Sequence, residues 1–227
     1  MSNVSIEERL AALERAAQKE EAIHQIQNLM GRYSMYHTAG MHKECSDELF
    51  VQHTPGGIAD IAGIGVWEGD DCFKRCYEIA HDQMEGEGDE RAGLLLIHCM
   101  TTPIIEVAGD LRTAKGTWLS PGVTGGPRED GVGCNWAWCK YGCDFIVEDG
   151  VWKIWHLHVY GIFTTPYEQN WATPQPKREG NPEDMWADIP EGRPDRFNFD
   201  TTFNYRPDLV YPVDQPVIPR AYDTWED

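Results

Sequence analysis

Residues 135–163 read N-W-A-W-C-K-Y-G-C-D-F-I-V-E-D-G-V-W-K-I-W-H-L-H-V-Y-G-I-F, and their pattern decides the fold. Asp149-Gly150 at the centre is a two-residue hairpin signal, because both turn positions favour residues that tolerate positive φ. Such a loop pairs Glu148 with Val151 and Val147 with Trp152. Continued outward, the ladder pairs Phe145 with Ile154, Cys143 with His156, Tyr141 with His158 and Cys139 with Tyr160. Side chains alternate along a strand, so these residues share one face. That face is apolar beside the turn and carries Asn135, Tyr141, His156, His158 and Tyr160 further out, the pattern of a pocket floor. The opposite face carries Trp136, Trp138 and Trp155. Tryptophans there predict a cover, from the C-terminal segment or from a second subunit, and hence a homo-oligomer.

Towards the N-terminus, residues 94–107 and 113–119 read as further strands, with 135–147 and 151–163 completing an antiparallel set. Ser5-Ile6-Glu7-Glu8 has the form of a capping box, and apolar residues from Leu10 to Tyr33 recur at helical spacing. The helix is expected to reach Thr38 and close at Gly40, with a short helix over 42–49 next. Its charged first turns are expected to project. Asp70 is a plausible N-cap for a helix reaching Gln83. Helices followed by long antiparallel strands predict an α+β fold. Beyond residue 164 lie ten of the 14 prolines, interleaved with aromatics such as Trp171, Trp186, Phe199, Phe203, Tyr211 and Trp225. Aromatic content of this kind predicts an extended arm packed on the body rather than a disordered tail. The organisation is therefore an N-terminal helical extension (1–20), a central domain (21–163) and the arm (164–227).

A formal net charge of −19 disfavours nucleic acid and anionic membranes as partners. No apolar run approaches the roughly 20 residues of a membrane span. The N-terminus shows no secretory pattern, so a cytoplasmic location is expected. The seven cysteines include no C-x-x-C and read as reduced small hydrophobes. Walker, dinucleotide and G-x-S-x-G fingerprints are missing from the sequence, which argues against kinase, dehydrogenase and hydrolase chemistry.

Three segments carry a family resemblance: residues 26–33 (I-Q-N-L-M-G-R-Y), 98–110 (H-C-M-T-T-P-I-I-E-V-A-G-D) and 140–160. In this order they resemble the SnoaL-like proteins of the nuclear-transport-factor-2-like superfamily over residues 21–163. The resemblance implies a cone of strongly bent antiparallel sheet, with N-terminal helices closing a pocket. It implies catalysis without metal or organic cofactor, and dimers or trimers. The scytalone-dehydratase-like branch uses histidines, tyrosines and a helix-1 aspartate; aligned on Arg32-Tyr33, that aspartate's place is Thr38, with His37 beside it. Residues 152–160 also look like the cofactor-independent lyases that release formaldehyde from lignin-derived diaryl compounds.

Function is then expected to be a cofactor-independent lyase acting on a phenolic or polycyclic aromatic small molecule, by dehydration or retro-aldol cleavage. Imidazoles both take and return protons near neutral pH. The expected catalytic residues are His98, Tyr141, His158 and Tyr160, the tyrosines stabilising a developing oxyanion. Tyr36, His37, Trp118, Asn135, Phe145 and His156 are expected to line the substrate. An isomerase or cyclase, or a binding module, would use the same pocket. A rival reading takes H-x-H at 156–158 with His98 as three imidazole metal ligands; the preferred one has no metal. His24, His42, His53 and His81 read as surface or incidental.

Overall fold

The computed structural model describes residues 5–86, 88–128, 131–173, 182–198, 205, 207–208, 210 and 215–226. Helix α1 (Ile6–Thr38) starts at the expected capping box: the Ser5 hydroxyl accepts the Glu8 amide at 3.1 Å and the Glu8 carboxylate accepts the Ser5 amide at 2.7 Å. Its buried face is Ala22, Ile26, Leu29, Met30, Tyr33 and His37, the i, i+3/i+4 stripe of a helix laid on a core;. Its first turns project, with Ile6, Leu10 and Leu13 exposed. Gly40 reverses the chain at φ +65°, and α2 (His42–Leu49) follows.

Two short strands, β1 (Ile58–Ile61) and β2 (Gly65–Glu68), precede α3, a π-helical stretch Lys74–His81 that runs on into an α-helical turn Asp82–Glu85. Two α-helical residues, Cys72 and Phe73, lead into the π-helical stretch, so the helix starts one residue later than the expected cap at Asp70 implies, with the Arg75 amide donating to the Asp71 carbonyl at 3.0 Å. Strands β3 (Leu95–His98), β4 (Thr101–Val107), β5 (Thr113–Arg128), β6 (Gly131–Glu148) and β7 (Val151–Pro166) complete the fold. The expected single strand over 94–107 is two, interrupted at Cys99 and Met100; within β4 the pairing shifts between Thr101 and Ile104, where Thr102 has φ +48°.

The sheet order is β2-β1-β7-β6-β5-β3, with β4 also on β5. Every pairing is antiparallel except β1 with β7, so the sheet is mixed. Asp149 and Gly150 both have positive φ, 51° and 79°, as the two-residue turn requires;. Phe50, Trp67, Tyr77, Tyr141, Phe145, Ile154 and Leu157 form the centre of one core between the concave sheet face and the helices.

The arm packs on this body. Trp186 is buried edge-to-face on Trp67, whose indole N–H donates to the Gly192 carbonyl at 2.8 Å. Trp225 covers Trp155 at 4.9 Å between ring centroids. Trp138 stacks on Phe163, and Trp136 on Tyr167. Phe199, Phe203 and Tyr211 lie outside the described residues.

Beyond Ile154 the β6–β7 register departs from the expected one. Phe145 pairs with Ile154, but Asp144 pairs with His156, so Trp155 is an extra residue on β7. A bulge of one residue turns the side chains that follow to the opposite face, here as far as a second extra residue at Ile162, between the pairs Cys139–Gly161 and Trp138–Phe163. Leu157 and Val159 therefore point into the core, while His156, His158 and Tyr160 do not share the face of Tyr141 and Cys143. The expected pairs Cys143–His156, Tyr141–His158 and Cys139–Tyr160 are replaced by Cys143–Leu157, Tyr141–Val159 and Cys139–Gly161.

Candidate active site

Two helices present the same four-residue pattern to the concave face. Tyr33 and His37 lie one turn apart on the buried side of α1, and Tyr77 and His81 repeat that spacing on α3;. In each pair the imidazole stacks over its own phenol, at 5.9 Å and 4.9 Å between centroids. The two hydroxyls meet at 3.0 Å, and Tyr33 stands edge-on to Tyr141 of β6 at 5.9 Å. Three phenols thus line the interior, all buried.

Four imidazoles converge above the phenols. His37 stacks on His98, the last residue of β3, with centroids 5.3 Å apart and planes within 15°. It also stands 5.3 Å from His81 and 5.6 Å from His42, the first residue of α2. The Ser34 hydroxyl donates to the His98 carbonyl at 2.6 Å and so ties β3 to α1. His81 Nδ1 lies 2.6 Å from the Cys76 carbonyl; a carbonyl only accepts, so Nδ1 carries the proton and Nε2 keeps a lone pair;. Nδ1 of His37, of His42 and of His98 is buried with no hydrogen-bond partner among the described residues.

Burial sets the charge state of the cluster. It pushes the His98 imidazole down to about 4. Burial also brings His81 down to about 4, partly opposed by the Cys76 carbonyl. His37 is lowered well below its ordinary range, by burial first and then by the neighbouring His81, His98 and His42. These rings are neutral at pH 7 and able to accept a proton. The phenols of Tyr33, Tyr77 and Tyr141 are raised by the same cause and stay protonated donors;.

Glu85, at the end of α3, supplies the carboxylate. Burial works to raise it, but His42 and Arg91 outweigh burial and hold it below the usual range. His42 Nε2 and Glu85 Oε1 approach to 2.8 Å, though without hydrogen-bond alignment, and Arg91 Nη2 donates to Glu85 Oε2. A Cβ at position 40 would lie 2.5 Å from Arg91 Nη2, so glycine there serves both the turn and this guanidinium. A cavity of about 190 Å³ lined by His37, Thr38, Gly40, Glu85, Arg91 and Leu96 opens the cluster to the outside. A second hollow of about 330 Å³, between α1 and Trp152, has Glu21 as its one ionisable lining residue.

The residues expected from sequence divide between the two sheet faces. His98, His37 and Tyr141 come together as described. Trp118 and Phe145 form a buried edge-to-face pair at 5.9 Å in the same core. Asn135 hydrogen-bonds Thr124 across β5 and β6 at 3.4 Å. Tyr36 turns away, donating to Glu48 at 2.8 Å. His156, His158 and Tyr160 lie on the outer face because of the bulge. There His156 meets Asp144 at 2.9 Å and the Gly56 carbonyl at 3.1 Å, and His158 meets Asp60 at 3.4 Å. The H-x-H pair and His98 are thus on opposite faces and form no common ligand set. His42 and His81, expected to be incidental, belong to the cluster; His24 and His53 are exposed. The signal for His81 was the repeated Y-x-x-x-H at 33–37 and 77–81, a spacing that stacks phenol and imidazole on one helix face;.

The model of the SnoaL-like domain matches residues 18–158. The chain belongs to the SnoaL-like domain family. Among solved structures this SnoaL-like chain is similar to a candidate scytalone dehydratase from Novosphingobium aromaticivorans DSM 12444 at 18% identity and TM-score 0.50, covering 69% of this chain and 95% of that one. It is similar to a hexachlorocyclohexane dehydrochlorinase from Novosphingobium barchaimii LL02 at 16% identity and TM-score 0.51, covering 72% and 99%. A candidate dehydratase of the NTF2-like family from Streptomyces avermitilis gives 16% identity and TM-score 0.51, covering 63% and 98%. At these identities the likeness concerns the fold. No curated protein matches the chain in sequence. No helix among the described residues is long and apolar enough to cross a membrane.

Proposed function

We propose that this SnoaL-like chain is a cofactor-independent lyase acting on a phenolic or polycyclic aromatic small molecule, by loss of water or by retro-aldol carbon–carbon cleavage. The observation that carries the reading is the convergence of neutral imidazoles on a chain of three phenols inside the cone. Buried ring nitrogens without partners cost about 1–3 kcal/mol each, a cost that proton transfer to a substrate would explain. In an elimination, an imidazole, His98 or His37, takes the proton from carbon, the electron pair forms the double bond as the carbon–oxygen bond breaks, and the imidazolium returns its proton to the departing hydroxyl, which leaves as water. In a retro-aldol step the same base takes the hydroxyl proton, the carbon–carbon bond breaks, and the electron pair is received by the conjugated ring or carbonyl. Tyr141 donates to the oxygen on which charge collects, with the hydrogen-bonded Tyr33–Tyr77 pair beside it. The names of two structural neighbours, a dehydratase and a dehydrochlorinase, describe eliminations, in keeping with this reading.

The cavity of about 190 Å³ is smaller than the roughly 300–1,000 Å³ of most small-molecule pockets. We infer that a substrate of two rings enters only when the segment around Arg91 moves outward. Exposed Ile6, Leu10 and Leu13, at i, i+4 and i+7 on the projecting start of α1, support assembly as a homo-oligomer;.

The test is mass-resolved turnover of a panel of phenolic and diaryl alcohols by chelator-treated protein. Products lighter by water or formaldehyde are expected. Products of unchanged mass would make the chain an isomerase or cyclase, and tight binding without turnover would make it a binding module.

A further inference from the structure

His37, His42 and Glu85 each offer one ligand atom, and these atoms lie within 4.8 Å of one another. His37 and His42 are 6% and 1% exposed, and the Glu85 side chain 6%. Two imidazoles and a carboxylate are a donor set suited to zinc-class ions, with positions left for further ligands. The protein satisfies the set only in part as it stands. The His42–Glu85 approach engages one nitrogen and one oxygen, while Nδ1 of both histidines remains without a partner among the described residues. Arg91 holds the other oxygen of Glu85, the kind of outer contact that fixes a ligating carboxylate;. His81 stands 5.4 Å from His42 between ring centroids, and its hydrogen bond to Cys76 leaves Nε2 as a lone-pair donor. The cavity lined by His37, Glu85 and Arg91 is an access route.

We propose that His37, His42 and Glu85 bind one divalent transition-metal ion of the zinc class, with His81 as the nearest fourth donor. Zinc–nitrogen bonds of about 2.0–2.1 Å place tetrahedral ligand atoms about 3.4 Å apart. The three donors therefore draw together by roughly an ångström when the ion enters, a movement that side-chain rotation supplies. The ion takes the lone pair of His37, one of the two bases that the lyase reading offers for proton transfer. That consequence rests on the reading, and for turnover through His37 it makes the metal-loaded protein the inhibited form.

The experiment is a cobalt(II) titration of the full chain, free of any histidine tag and treated with chelator, followed by visible absorption, zinc competition and X-ray absorption. The expected result is one equivalent of cobalt with the ligand-field bands of a four- or five-coordinate ion, displaced by zinc, with at least two imidazoles in its shell. Glu85→Gln and His42→Asn should each weaken binding at least tenfold, and His156→Asn should not change it. Absence of bands, a shell with fewer than two imidazoles, or equal affinity in folded Glu85→Gln and His42→Asn variants would overturn the site. The wild-type shell decides the matter even where a variant does not fold. Turnover by the stripped protein is scored separately, so failure of the lyase reading leaves the cobalt result standing. Turnover that rises with zinc would overturn the inhibitory consequence alone.

Discussion

The two faces of the sheet carry similar chemistry in opposite states. On the outer face, His156 engages both ring nitrogens, with Asp144 and Gly56, and His158 rests on Asp60. On the inner face, Nδ1 of three rings has no partner among the described residues. A satisfied histidine contributes to structure, whereas a buried unsatisfied one lowers stability and leaves its lone pair available. The contrast separates reactive imidazoles from structural ones more sharply than residue type or spacing does.

The strongest challenge to this contrast is removal of an inner imidazole. His98→Ala should lower kcat/KM by about 10²–10⁴-fold, the range for loss of a general acid–base group, while thermal melting stays cooperative. A rate within threefold of wild type would place His98 outside the chemistry. Tyr141→Phe should cost about 10²-fold, the lower end for loss of one oxyanion donor, chiefly in kcat; an effect confined to KM would assign Tyr141 to binding.

A carboxylate on the hairpin gives a smaller effect, on stability alone. Burial tends to raise Glu148, but the amides of Gln52, His53 and Thr54 and the Thr54 hydroxyl outweigh it and bring the carboxyl down to about 2. A depressed folded-state value means stability that is complete above the ordinary 4.5 and lost as pH falls towards 2;. Glu148→Gln should therefore cost about 2 kcal/mol at pH 7, and chemical denaturation should show the gap closing between those two pH values. A gap independent of pH would mean that Glu148 acts through packing. The smallest effect is expected on the outer face: His158→Asn should leave turnover unchanged and shift stability by less than about 1 kcal/mol. A large loss of turnover in that variant would return His158 to the mechanism.

Much of the fold was legible from the hairpin outward. Asp149-Gly150 set the first three β6–β7 pairs correctly, and Gly40 marked the end of α1. The register failed first at Trp155 and shifted again at Ile162. Along β7 the apolar residues fall at even positions, Trp152 and Ile154, and then at odd ones, Leu157 and Val159, whereas β6 keeps one phase from Ala137 to Phe145. That change of phase was the signature of a bulge, and extending the ladder straight through it put His156, His158 and Tyr160 on the wrong side. Half of the imidazole cluster was harder to read. His42 and His81 meet His37 only through the packing of α2 against α1 and α3, contacts that no local periodicity encodes. Within α3, the shared face of Tyr77 and His81 was legible from their spacing, but not the side of the molecule to which that face turns;.

In evolutionary terms, Trp155 is a removable codon. Deleting it would leave Ile154 followed by His156, so a regular ladder would keep Asp144 opposite His156 and Cys143 opposite Leu157. The core face would survive in phase, and the loss would fall on the outer tryptophan that Trp225 covers. A lineage could shed the bulge in a single event and keep both sets of imidazoles where they are.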